Sequence, residues 1–353
     1  MSLVAYGAQD VYLTGNPQIT FFKVVYRRHT NFACEAIEQV FNGTPATGGK
    51  AVVPITRNGD LITKMWLHTT ATASGTSDAN IGYTLINSVE LQIGGTKIDK
   101  IYGKWMYIWN ELSSDSNGDT AHDTIVGASA VTDTTTELFI PLTFFCCRND
   151  GLALPLIALQ YHDVRLEFEF GSPSNVAISN TSLLVNYVFL DSEERKRFAT
   201  ASHEYLIEQL QFTGAETVTA AASNKTRLNF NHPVKELVWV TSASGAAVDT
   251  YVPITNALLQ LNGHDRFSVQ SGRFFDSVQP HTHHTSSKTG INVYSFALNP
   301  EEHQPSGTCN FSRIDNATLT VTTKATAVEM YVYATSYNVL RIMSGMGGLA
   351  YSN

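Results

Sequence analysis

The chain is short of charge. Asp, Glu, Lys and Arg make up only 15% of its 353 residues, against roughly 25% in an ordinary soluble domain. The charge present leans acidic, to a net −8. A protein built to grip nucleic acid needs Lys and Arg to neutralise phosphates, so specific nucleic-acid binding is not expected, and the short Arg27-Arg28-His29 cluster is too small to change that. Cysteine is scarce too. Cys34, Cys146, Cys147 and Cys309 show no Cys-x-x-Cys spacing, which argues for reduced thiols rather than a disulfide framework or a zinc site. Long apolar runs are missing: Leu152 to Leu159, broken by Pro155, falls far short of the ~20 residues that cross a bilayer. Met1 to Asp10 lack the basic start and apolar centre of a secretory signal. The expectation is a soluble, unsecreted chain.

Catalytic signatures are equally thin. No Gly-x-Ser-x-Gly elbow is present, and no cofactor is expected. Gly345-Met346-Gly347-Gly348-Leu349-Ala350 has the form of a dinucleotide loop, but no helix follows whose N-terminus could hold a pyrophosphate. Gly43 to Ala51 imitates a phosphate loop, yet Lys50 is one place late and Ala51 replaces the magnesium-binding hydroxyl. His281-Thr282-His283-His284 has some metal-ligand character, but Pro280 before it and Thr285-Ser286-Ser287 after it predict an exposed loop with no carboxylate close in sequence. Glu167 and Glu169 fall on the polar side of an alternating segment and predict solubility rather than acid-base chemistry. Asn-x-Ser/Thr triplets occur at Asn42, Asn180, Asn224, Asn310 and Asn316, about as often as chance allows, and stand as possible glycosylation positions.

What the chain does have is period-2 alternation. Val164-Arg165-Leu166-Glu167-Phe168-Glu169-Phe170 sets apolar residues on one face and charges on the other, and Val89 to Ile93, Ala317 to Val321 and Val328 to Ala334 repeat the pattern. Turn signals such as Asn58-Gly59-Asp60, Gly94-Gly95, Asn149-Asp150-Gly151 and Asn262-Gly263 lie between them. Many short strands with frequent turns predict an all-β sandwich or barrel. Two segments read differently. In Lys104 to Leu112 the residues Trp105, Ile108, Trp109 and Leu112 fall at helical spacing; this stripe predicts a helix packed over a sheet end rather than a sugar-stacking platform. Asp191 to Phe198 is the densest charge run and predicts a solvated, short helical connector.

The chain is long for one core, and its halves echo each other. Ile37-Glu38-Gln39 returns as Ile207-Glu208-Gln209, Leu91-Gln92-Ile93-Gly94-Gly95 as Leu259-Gln260-Leu261-Asn262-Gly263, and Val185 to Phe189 as Met330 to Tyr333. Two copies of one β unit of roughly 150 residues, the size of an eight-stranded jelly roll, explain this. The expected layout is an N-terminal arm over 1–30, a first jelly roll over 31–190, a charged connector over 191–202 and a second jelly roll over 203–353.

Longer stretches carry a family resemblance. Tyr12 to Ala33, with its Gly-Asn-Pro turn and Phe21-Phe22-Lys23-Val24-Val25-Tyr26-Arg27-Arg28-His29-Thr30, resembles the opening of the major capsid proteins of nucleocytoplasmic large DNA viruses, algal-virus type. Ile98 to Leu112 is similar to their helix-bearing insert, and Phe144 to Val164 to their Leu-Pro-Leu-Ile-Ala-Leu-Gln-Tyr-His stretch. Ser295 to Asn316 resembles their second-domain motif, and Tyr337 to Ser352 their C-terminal segment. The resemblance implies an all-β fold of two tandem eight-stranded antiparallel jelly-roll sandwiches with short connecting helices. It also implies a structural, non-enzymatic role: a homotrimer with pseudo-hexagonal outline that tiles an icosahedral virion shell and is assembled in the host cytoplasm. Its partners would be neighbouring capsomers and penton and minor capsid proteins, with an inner viral membrane nearby but not spanned. Since Gly15 and Pro17 stop the arm from forming a core of its own, Asn16, Pro17, Phe21, Phe22, Arg27 and Arg28 are expected to make assembly contacts. The alternatives are a jelly-roll lectin and a cupin-like metalloenzyme, each requiring a site that the residues do not spell out.

Overall fold

A computed structural model describes residues 7–21, 28–114, 120–219, 222–323 and 328–351. Eight long or paired strands build the first half: β1 (Phe32–Gln39), β2 (Lys50–Pro54), β3 (Leu61–Ala73), β4 (Ile86–Ile93), β5 (Thr96–Tyr102), β6 (Thr135–Pro141), β7 (Val164–Phe170) and β8 (Val176–Leu190). The second half repeats them as β9 (His203–Val218), β10 (Ser223–Arg227), β11 (Pro233–Ser242), β12 (Ile254–Leu261), β13 (His264–Asp265), β14 (Ile291–Ser295), β15 (Ala317–Thr323) and β16 (Val328–Met343). The first half folds into sheets of order β1-β8-β3-β6 and β2-β7-β4-β5, the second into β9-β16-β11-β14 and β10-β15-β12-β13. Adding eight to each label converts one half into the other. All pairings are antiparallel, and this crossed order of two facing four-strand paths is the jelly roll.

Side-chain alternation builds the cores. In β7, Val164, Leu166, Phe168 and Phe170 are buried while the intervening Arg165, Glu167 and Glu169 reach outward. They join Val53, Leu67, Leu91, Leu138 and Val185 between the first pair of sheets. Leu237, Trp239, Leu259, Leu319 and Val332 fill the space between the second pair. Each sandwich interior is therefore solid side chain, and a cupin-like reading would need an open one.

The echoes have structural counterparts, with one exception. Ile37 and Ile207 lie on the equivalent strands β1 and β9. Gly94-Gly95 and Asn262-Gly263 are equivalent two-residue hairpin turns, with φ of 57° and 81° in one and 52° and 81° in the other, the two positive values that a type I′ turn needs. Val185 and Met330 do sit on equivalent strands. However, Ile37 pairs with Val185 and Ile207 with Asn338, so that echo is out of register and reflects shared strand composition. The dinucleotide-like glycines form a third tight hairpin, Ser344-Gly345, joining β16 to the strand Met346–Leu349.

The two sandwiches stand side by side, joined by α1 (Gly103–Ser113), which lies between β5 and β6. Met106 and Tyr107 face the first core. Trp105, Ile108 and Leu112 lie on Val238, Val240, Ile291, Val293 and Tyr333, the outward residues of β11, β14 and β16. The aromatic stripe is core, as expected, but it is the core of a seam. The charged connector is the helix α2 (Ser192–Thr200), none of whose side chains is buried. At the start of α1, a side chain on Gly103 would collide with the carbonyl oxygens of Tyr83 and Ile86. Gly103→Ala is expected to destabilise the chain by about 1–3 kcal/mol, read as a lower denaturant midpoint; an unchanged midpoint would show that this backbone can give way.

Candidate functional site

The described residues of the arm leave their large apolar side chains uncovered. Among them the helical element is one short turn, Val11–Thr14, and none of it is buried. Tyr12, Leu13 and Ile19 are almost fully exposed and Phe21 completely so. Asn16, in the left-handed conformation at φ 51°, and Pro17 turn the chain, and Arg28 is exposed. Phe22 and Arg27 lie outside the described residues. With Val11, also exposed, five large apolar side chains in water within fifteen residues represent buried area not realised inside the chain.

The seam carries charge as well as apolar contact. Lys235, fully buried on β11, lies 2.7 Å from Glu208 on β9, whose other oxygen is 3.0 Å from Arg148 of the first unit. Arg148 and Lys235 flank the ring of Trp109 at 5.0 and 6.0 Å. Next to Lys235, Glu236 lies 3.1 Å from His284, which contacts Glu301 at 3.0 Å on its other side. The Glu236 approach is poorly aligned for a hydrogen bond, so charge rather than directed bonding holds that side. Burial would push His284 down, but the two carboxylates outweigh it and lift the imidazole to about 9. Burial would push Glu236 up, but His284, then Lys235 and Arg148, hold it below the usual range. Burial depresses Lys235 despite Glu208 and Glu236. Elsewhere on the seam, Asn80 donates to Asp249 at 3.1 Å and the Leu210 amide to Asp99 at 3.1 Å. Burial pushes Asp99 up to about 6.

This corrects the reading of the histidine cluster. Gln279–His283 is a short helix rather than a loop, and His284 is buried rather than exposed. Its carboxylates come from distant strands and loops, which sequence proximity could not reveal. The chemistry is that of a buried ion pair, not a ligand set; among the described residues no group of three His, Cys, Asp or Glu side chains converges to hold a metal. The signal that was present is the Lys235-Glu236 pair interrupting an otherwise apolar strand.

All four cysteines are free thiols, and no helix among the described residues is long and apolar enough to cross a membrane. Of the glycosylation candidates, Asn42, Asn180, Asn310 and Asn316 are exposed and Asn224 is half-buried. The Asn224 amide is bonded into its own turn through Thr219 and Ala222, and Asn310 accepts from the Ser312 amide.

A duplicated jelly roll with a filled interior, an apolar seam and an uncovered arm describes a building block. Residues 20–191 match the family described as major capsid protein N-terminus, and residues 194–348 match that of the large eukaryotic DNA virus major capsid protein. The major capsid protein of Pyramimonas orientalis virus is 53% identical across 100% of this chain and 99% of its own length. The chain belongs to the major capsid proteins of large eukaryotic DNA viruses. The major capsid protein of Paramecium bursaria Chlorella virus 1 is 42% identical over 99% of this chain and 98% of that one. The crystal structure of PBCV-1 VP54 superimposes with a TM-score of 0.86 at 39% identity, covering 95% of this chain and 100% of that one. Faustovirus major capsid protein, at 12% identity and a TM-score of 0.76, shares the fold. Like other members of the family, this chain is a structural protein of the virion capsid that assembles with other capsid subunits, and the double jelly roll is the family fold. The lectin alternative finds no support.

Proposed function

We propose that three copies of this major capsid protein form a capsomer in which six jelly rolls give a pseudo-hexagonal outline, and that these capsomers tile an icosahedral shell. The observation that carries this reading is the identical strand order of the two units, since two equivalent blocks per chain turn a threefold assembly into a near-sixfold one. The chain divides into an arm over 1–30, jelly rolls over 31–190 and 203–353, and a connector over 191–202; the α2 helix with no buried side chain supports that division. Neighbouring capsomers, penton proteins and minor capsid proteins are its partners, and an inner membrane lies close without being spanned. Assembly takes place in the host cytoplasm, without catalysis, cofactor or specific nucleic-acid binding. Mass measurement and electron microscopy of the purified protein test the reading: a particle of three chains with six lobes is expected, and a stable monomer would overturn it.

The arm works between subunits. Its exposed Tyr12, Leu13, Ile19 and Phe21 gain cover from a neighbour, with Asn16 and Pro17 setting its direction and Phe22, Arg27 and Arg28 adding apolar and charged contacts. Deleting residues 2–20 is expected to leave capsomers of wild-type mass but to block shell formation in an assembly assay. Intact shells from the truncated chain would remove the arm from this role.

A further inference from the structure

Two of the four cysteines are neighbours in sequence. Cys146 and Cys147 sit in the single helical turn Phe145–Arg148, between β6 and β7, with their sulfurs 3.9 Å apart. Side chains at i and i+1 on a helix do not ordinarily face each other, so this approach is a local departure that sets one thiol against the other. The two differ in access to water. Cys146 is fully buried in the first core, while Cys147 is half-buried at its edge. The Cys147 sulfur, and then burial, push the Cys146 thiol well above its ordinary value, so it stays protonated.

The same turn is a place where the first unit takes hold of the second. The Cys147 and Arg148 amides both donate to the Phe144 carbonyl, at 2.9 and 3.2 Å, which fixes the direction in which the Arg148 side chain leaves the backbone. From there Arg148 reaches Glu208 on β9 at 3.0 Å and the ring of Trp109 at 5.0 Å. One turn thus carries both a thiol pair and a seam contact, and a change of backbone at the first is transmitted to the second.

We propose that Cys146 and Cys147 are a redox modification site, closed to a disulfide by a peroxide, and that closure loosens the joint between the two jelly rolls. The Cys147 thiolate, the accessible one of the pair, attacks a peroxide oxygen. The O–O bond breaks, Cys147 becomes a sulfenic acid, and the hydroxide released takes up the proton that Cys147 gave away. The Cys146 sulfur then attacks the sulfenic sulfur. The S–O bond breaks, the S–S bond forms, and the departing hydroxide leaves with the Cys146 proton as a second water. Two thiols lose two electrons, and one peroxide is reduced to two waters. Adjacent α-carbons are ~3.8 Å apart across a trans peptide, below the roughly 4.4–6.8 Å that disulfides usually span. The ring is therefore accommodated only when the Cys146-Cys147 peptide leaves its helical setting, which carries Arg148 away from Glu208. A disulfide formed under that constraint is readily reduced, so the change is reversible.

The test uses the full chain carrying Cys34→Ser and Cys309→Ser, so that the pair alone can react. Hydrogen peroxide treatment, alkylation without reductant and tryptic digestion give the peptide Trp105 to Arg148, which holds both thiols. After oxidation that peptide is expected to be two hydrogens lighter and unalkylated, and after dithiothreitol to take up two alkyl groups. The urea midpoint is expected to fall on oxidation and to recover with dithiothreitol. Adding Cys147→Ser is expected to leave the midpoint unmoved by peroxide. Adding Arg148→Met instead is expected to start lower and to lose little more on oxidation, because the contact with Glu208 is already gone. Alkylation of both thiols after peroxide, an oxygen-bearing acid left at Cys147, or a bond between chains would overturn the site. A closed disulfide with an unmoved midpoint, or an equal fall in the Arg148→Met chain, would overturn its hold on the seam.

Discussion

Trp105→Ala is expected to cost about 3–5 kcal/mol, the range for deleting a large buried aromatic, and to weaken the joint between the two sandwiches more than either sandwich. Trp105 is 3% exposed and packs 5.3 Å from the Tyr333 ring. With the indole gone, the cavity opens onto Val238, Val240, Ile291 and Val293, and α1 loses most of its hold on the second unit. Urea unfolding followed by circular dichroism should show a lower midpoint and a transition that broadens or splits as the units uncouple. Trp105→Phe should restore most of the loss. A shift below about 1 kcal/mol would mean that the seam rests on its polar contacts instead.

His284→Gln should be comparably severe, at about 3–5 kcal/mol, because removing one partner of a buried pair leaves the other charge stranded. Glu236 is fully buried and leans on His284 for its negative charge. The double variant Glu236→Gln/His284→Gln, in which two neutral amides face each other, should recover much of the loss. The pH dependence has a definite sign. His284 is lifted from an ordinary value of 6.5 to about 9 on folding, so its contribution is complete below pH ~6.5 and disappears as pH rises through about 9. Wild-type stability should fall across that alkaline window by roughly 3 kcal/mol, and the double variant should lack that step. An equal alkaline decline in both proteins would assign the loss to other groups.

The architecture was readable because strands advertise themselves. Val164 to Phe170 alternates without a fault, Gly94-Gly95 and Asn262-Gly263 mark hairpins by residue type, and the Trp105, Ile108, Leu112 spacing is helical. What α1 would pack against was not readable, since Val238, Val293 and Tyr333 come from strands far apart in sequence. The electrostatic centre was harder still. Arg148, Glu208, Lys235, Glu236, His284 and Glu301 meet through five separate segments, and only Lys235-Glu236, two charges in an apolar strand, hinted at it. The apparent Val185 and Met330 match shows the opposite hazard: similar strands look aligned when only their composition agrees.

The two ends of the sandwiches differ in how much change they allow. One end is closed by the two-residue Gly94-Gly95, Asn262-Gly263 and Ser344-Gly345 hairpins, where an added residue would shift strand register. The other carries the connections from β3 to β4 and from β11 to β12, which meet through Asn80 and Asp249, with Ser74, Ser244 and Gly245 exposed on them. A foreign peptide spliced at Ser244-Gly245, between β11 and β12, would extend a loop outside the strand ladders, whereas the Ser74 amide still bonds to the Asn175 carbonyl; the second unit's loop is therefore the natural position for displaying an epitope or a tag.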